Sequence, residues 1–316
     1  MKPKSIPVFR RTRAQRPAPS VEFVRRAIAV VAIAVAAMIA PSPALSQPPT
    51  PITECGKITR PGLYEVDNDL IASSPSAGDC LIITAPNVSL NLNRFNLYGA
   101  TSGVGIHVMK RAAQVFIEGH GSTIETFGVG IQIDASGALA DNFTVLSNTD
   151  AGVLLNHVQR ADLSNFAAIN NLNDGIRIYR GGNNVLQMPF VTGNGRYGVW
   201  IQSSSHNSVG NFTVQNNSLA GIYIGCSASG PQGQCVRHSA VSNSNYLFSG
   251  IAGVSNSGTQ QYGVAIDQGD NFNQVVNVVA ALNDHLDLFD VNSDCGKNYW
   301  FAEPTIGQVA PLSCIY

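Results

Sequence analysis

The sequence predicts an all-β chain, a single-domain right-handed parallel β-helix with coils of 23 residues and disulfide-linked end caps. Three sets of residues in phase carry that expectation. Gly152, Gly175, Gly198 and Gly221 are each 23 residues apart, and each opens an alternating apolar strand: Val153 and Leu155, Ile176 and Ile178, Val199 and Ile201, Ile222 and Ile224. Asn148, Asn171, Asn194 and Asn217 keep the same step four residues before each glycine. Further apolar columns run through Val145, Ala168, Val191 and Val214, and through Leu163, Leu186 and Val209. Phe143, Phe166 and Phe212 share another register, which Pro189 interrupts.

Three short alternating strands per period, separated by turns, make one coil. Successive coils stack at the strand spacing of about 4.8 Å, with inward side chains filling the core. The glycine supplies either a positive φ or a close backbone approach at the turn. The asparagine, with one carbonyl and one amide, can bond to its copies along the axis. Earlier coils are expected at Gly105-Ile106-His107-Val108 and Gly130-Ile131-Gln132-Ile133. Later ones are expected at Gly263-Val264-Ala265-Ile266 and Leu286-Asp287-Leu288. Two insertions break the period, from Cys226 to Val236 and from Asn245 to Tyr262. A stack of strands must be closed at both ends, or its edges would pair with other chains.

The first 26 residues hold eight of the nineteen Lys and Arg, and the apolar run Ala27 to Ala40 follows. Fourteen helical residues span about 21 Å, short of a bilayer core of roughly 30 Å. With the small-residue stop Ala44-Leu45-Ser46, residues 1–46 read as an export signal, which places the chain in the periplasm or outside the cell, with no membrane span after its removal. The expected organisation is a signal at 1–46, an N-terminal cap and first coil at 47–100, repeats at 101–290 and a C-terminal cap at 291–316. Without the signal the charge is −8, from 11 basic and 19 acidic residues. That argues against a nucleic-acid partner, whose phosphates need Lys and Arg.

All six cysteines follow the signal and fall into local pairs: Cys55 with Cys80, Cys226 with Cys235, and Cys295 with Cys314. An even count in an oxidising compartment reads as disulfides. No Cys-x-x-Cys occurs and no histidine lies near enough to complete a zinc or copper site, so neither metal nor cofactor is expected.

The segment Asn87-Val88-Ser89-Leu90-Asn91-Leu92-Asn93, the Gly-Ile/Val strands and the Asn-x-x-x-Gly turns resemble the exported β-helix repeat proteins of the pectate-lyase-like superfamily. Similar coils occur in the periplasmic β-helix protein that assists copper loading of nitrous-oxide reductase. The resemblance covers residues 55 to about 290 and implies a fold rather than a reaction. The superfamily holds polysaccharide lyases, glycoside hydrolases and uronan epimerases, together with non-catalytic surface proteins.

Inward residues build the core, so chemistry is sought on outward positions. The first outward column after each glycine reads His107, Gln132, Leu154, Arg177, Trp200, Tyr223, Ala265, Asp287; the second includes Asp134, Asn156, Tyr179 and Gln202. Arg177, Tyr179, Trp200, Gln202 and Tyr223 therefore form one candidate carbohydrate-binding patch on three coils. Aromatic faces stack on sugar rings, and Arg and Gln bond to hydroxyls. The competing expectation is a cross-strand ladder that only stabilises the coils. The fragments Gly119-His120-Gly121, Asn148-Thr149-Asp150 and Arg177-Ile178-Tyr179 resemble a polygalacturonase set, but in the wrong order and without its Asp-Asp pair. No catalytic residue is assigned. A non-catalytic exported protein contacting polysaccharide, a polysaccharide-active enzyme, and an accessory protein with a protein partner all fit.

Overall fold

The computed structural model describes residues 48–72, 78–226, 241–253, 260–301 and 308–315; the expected signal, residues 1–46, lies outside them. The chain winds as a right-handed parallel β-helix of about ten turns. Its strands form one sheet of eleven and one of sixteen. The eleven-stranded sheet takes the strand after each periodic glycine, among them Val104–Val108, Ala151–Asn156, Asp174–Tyr179, Tyr197–Gln202 and Ala220–Ile224. The sixteen-stranded sheet takes one longer strand from some coils, such as Leu139–Leu146, and two short strands from others, such as Asp162–Ser164 and Ala167–Ile169. Asn165, in the left-handed region at φ 51°, turns the corner between them.

The 23-residue columns are the register itself. Val153 pairs with Ile176, Ile176 with Val199 and Val199 with Ile222. Leu163 pairs with Leu186, and Leu186 with Val209. Alternation puts Val153, Leu155, Leu163 and Ala168 inside, all fully buried, and Phe143 stacks on Phe166 at 5.0 Å. Each such side chain contributes about 1.5–3 kcal/mol of burial.

The periodic glycine answers to close approach, not to positive φ. A Cβ at Gly175 would sit 2.7 Å from the carbonyl oxygen of Gly198 and 2.8 Å from the side-chain nitrogen of Asn194. That nitrogen belongs to the expected asparagine ladder. Asn148 donates its side-chain amide to Asn171 at 3.0 Å, Asn171 to Asn194 at 2.9 Å and Asn194 to Asn217 at 2.8 Å, all buried. Gln260 and Asn283 carry the line onward. A second ladder, Asn184–Asn207–Asn245–Asn273–Asn298, runs through the turn entering the larger sheet.

Part of the expected break from Asn245 to Tyr262 is a coil strand, Tyr246–Ala252, in which Leu247 pairs with Val209 and Ala252 with Val214. The aromatic residues Tyr246 and Phe248 stand on its outward face in place of polar ones, and Ser249 replaces asparagine at the corner. The later register shifts too: Ala265 pairs with Phe289, so Phe289 and not Asp287 continues the outward column.

Both ends carry covalent links, Cys55–Cys80 and Cys295–Cys314. Cys226 is disulfide-bonded, while its expected partner Cys235 lies outside the described residues. Among the described residues no helix is long and apolar enough to cross a membrane.

Candidate functional site

The outward face of the eleven-stranded sheet carries a continuous line of polar and aromatic groups. Register brings Arg177 opposite Trp200, Trp200 opposite Tyr223, and Tyr179 opposite Gln202, so the five expected residues meet on three consecutive coils. Their accessibility divides them. Arg177, Tyr179 and Gln202 are half-buried, whereas Trp200 is 1% exposed and Tyr223 0%. The two rings belong to a second apolar cluster with Tyr197, Ala220, Tyr262 and Ala265. Tyr223 stacks on Tyr197 at 4.7 Å, and Trp200 leans on Tyr197 at 5.1 Å.

Burial obliges the polar ends of these rings to find partners. Trp200 Nε1–H donates to the carbonyl of Gly225 at 2.8 Å, and Tyr223 donates its hydroxyl to Asp267. The periodic pattern foresaw that these rings face outward. It held no signal that they would be covered.

Above them lies a cationic rim. The Arg177 guanidinium sits 4.5 Å from the Trp200 ring centroid and 5.4 Å from that of Tyr179. Gln202 Oε1 accepts from its Nε and an Nη at 2.8 and 2.5 Å, which fixes the plane. Arg180 covers Tyr179 at 5.1 Å, and His157 meets the same ring edge-on. Guanidinium over a ring is worth about 0.5–1 kcal/mol where exposed and about 2 when desolvated.

Asp174 begins a strand, fully buried, and Arg196 grips both its oxygens at 2.9 and 2.6 Å. Burial pushes the Asp174 carboxyl above its usual range, against the hydrogen bond and charge of Arg196, which lower it. Arg196 also lies 4.7 Å from the Trp200 centroid, so two guanidinia bracket that indole.

A second cluster lies toward the N-terminal end of the same face, where the sequence showed no converging groups. His107 Nδ1 lies 2.6 Å from Asp79 and its Nε2 2.8 Å from Asp134. Asp134 also accepts from the amides of Gln132 and Asn156. These contacts step 28 and 27 residues rather than 23, so a search along columns passes over them.

The polygalacturonase-like fragments disperse. Asn148 is a rung of the buried ladder, Asp150 accepts from Asn173, and His120 is exposed at a left-handed corner on the other sheet. Among the described residues no group of His, Cys, Asp and Glu is placed to hold a metal ion.

The profile described as "Right handed beta helix region" matches residues 104–284, more than half of the chain. The chain belongs to the right-handed β-helix family. No curated protein matches its sequence. Among solved structures, this β-helix is similar to the Dettilon tailspike protein, at 15% identity and a TM-score of 0.61, covering 79% of this chain and 52% of that one. It is similar to the enzymatically active domain of tailspike protein 2 of bacteriophage CBA120, at 15% identity and a TM-score of 0.51, covering 82% and 42%. A periplasmic alginate epimerase aligns at 14% identity with a TM-score of 0.47, covering 79% and 75%. The chain thus spans about half the length of the tailspike structures it matches. At these identities the likeness is one of fold.

Proposed function

We propose that the protein is an exported, non-catalytic β-helix that contacts polysaccharide along the outward face of its eleven-stranded sheet. The observation that carries this reading is the half-buried Arg177–Tyr179–Gln202 group, whose Arg177 lies over the covered Trp200. Tyr179 offers an aromatic edge, and Arg177 and Gln202 keep donors for hydroxyls in a fixed plane. Trp200 and Tyr223 serve as the floor of the strip: Trp200 holds Arg177 in place instead of touching sugar, and Tyr223 stacks beside it.

The state of the neighbouring carboxylates favours binding over hydrolysis. Glycoside hydrolysis needs two carboxyl groups free to act on one bond. On this face Asp134 is bonded to His107, Gln132 and Asn156, and Asp174 is closed on Arg196. Export is supported by the cystines, which persist in oxidising compartments.

The test is a glycan-array screen with the purified mature domain, followed by Arg177→Ala and Tyr179→Ala on any glycan retained. Loss of one ring or guanidinium contact should weaken binding a few-fold to about tenfold. Wild-type protein that retains no glycan, or variants that bind as well as wild type, would overturn the reading.

A further inference from the structure

We propose that Asp79, His107 and Asp134 form a proton-operated latch that ties the N-terminal cap to the following coils and weakens as pH rises. The three residues come from three successive coils. Asp79 adjoins Cys80, which is linked to Cys55. His107 lies on the strand Val104–Val108, and Asp134 directly follows the strand Val129–Ile133. One imidazole therefore spans the junction between the disulfide-linked cap and the regular β-helix.

The proton can be located from the bonding. An ionised carboxylate only accepts hydrogen bonds, and a neutral imidazole has a single N–H. The ring nitrogens of His107 lie 2.6 and 2.8 Å from two carboxylates. Asp134 Oδ1 accepts from Asn156 at 2.8 Å and Gln132 at 3.2 Å, and its Oδ2 from Gln132 at 3.1 Å. Asp79 Oδ1 accepts the backbone N–H of Val104 at 2.9 Å. With other donors already on both carboxylates, a neutral imidazole satisfies only one of the two contacts, whereas a doubly protonated one satisfies both. The charged groups that act on it are these two carboxylates. Its in-register neighbours, Ile82 and Gln132, carry no charge.

Burial of the ring by itself favours the neutral form. The bonds and charges of Asp134 and Asp79 outweigh it and hold the imidazole above its ordinary range. A raised histidine contributes stability that is fully present below the unfolded value of about 6.5 and is lost as pH passes through the folded midpoint. Above that midpoint one ring lone pair faces a carboxylate at under 3 Å. The cap then loosens on the following coil while the Cys55–Cys80 bond holds the cap itself together.

The experiment is imidazole NMR titration of the full mature chain from pH 5 to 9, with amide exchange, corrected for intrinsic rate, over residues 79–108. His107 should titrate above the ordinary histidine value of about 6.5. Protection of 79–108 should hold steady below about pH 6.5, then fall by up to tenfold per pH unit until the folded midpoint. His107→Gln should abolish that dependence. Asp134→Asn, which keeps the histidine, should lower its midpoint and serves if His107→Gln does not fold. A midpoint at or below about 6.5, or the same exchange profile in wild type and variant, would overturn the latch.

Discussion

Arg196 closes on the buried carboxylate of Asp174 through two hydrogen bonds, from Nε at 2.9 Å and an Nη at 2.6 Å, while its guanidinium lies over Trp200. One arginine thereby neutralises a charge inside the sheet's outward layer and packs the ring beside it. Removing it strands the carboxylate. Arg196→Met should cost about 3–5 kcal/mol, because an uncompensated buried charge remains. Asp174→Asn together with Arg196→Met should recover much of that loss. Urea denaturation of the three proteins measures it, and equal stability of the single variant and wild type would refute the account.

Trp200→Ala should destabilise the fold by about 3–5 kcal/mol, the range for a large buried aromatic. The indole is covered and its N–H occupied, so stability, not affinity, is the first quantity to move. The same variant should loosen Arg177. Melting temperature and glycan affinity measured together separate the two effects, and an unchanged melting temperature would contradict the burial.

Asn171 is an interior rung: its Oδ1 accepts from the backbone and the side chain of Asn148, and its amide donates to Asn194. Asn171→Ala leaves at least one buried donor without a partner, at about 1–3 kcal/mol for each such group. Asn211→Ala, at an exposed corner with φ 53°, should cost less. Chemical denaturation of the pair checks the order, and a larger loss at Asn211 would break the ladder argument.

Asp267 and Asp270 are buried, and among the described residues Asp267 Oδ1 and Asp270 Oδ2 have no hydrogen-bond partner. Desolvation raises them to about 6 and about 8; Tyr223 pulls Asp267 back, and the nearby charges of Asp267 and Asp290 push Asp270 further. Both folded values exceed the unfolded value of about 3.9, so the fold holds protons that the unfolded chain releases. Their contribution is full below about pH 4 and is lost as pH rises through about 6 and then about 8. Asp270→Asn should remove the upper part of that decline and raise the melting temperature at pH 8. A melting temperature that climbs from pH 5 to 8 in the His107→Gln protein would contradict the assignment.

The Cys226 link is checked by mass mapping under non-reducing conditions, which should recover a 226–235 pair beside 55–80 and 295–314. A bridge joining the two ends of the chain would contradict local capping.

What the sequence by itself determined was everything that repeats at one period. Val153, Ile176, Val199 and Ile222 had to stack, and Asn148, Asn171, Asn194 and Asn217 had to bond, because inward and turn positions meet only the same position one coil away. A periodic contact leaves a periodic mark. The second asparagine ladder was legible in the same way from Asn184 and Asn207, but its later rungs stand 38, 28 and 25 residues on, after the insertion. Outward side chains are long and reach diagonally, so Asp79, His107 and Asp134 meet at steps of 28 and 27 and Arg196 meets Asp174 at 22. Outward residues also differ in what covers them. Only the tertiary structure separated the half-exposed Arg177 and Tyr179 from the buried Trp200 and Tyr223, because the side chains that pack on the two rings, Tyr197, Ala220, Tyr262 and Ala265, differ from coil to coil and leave no periodic mark.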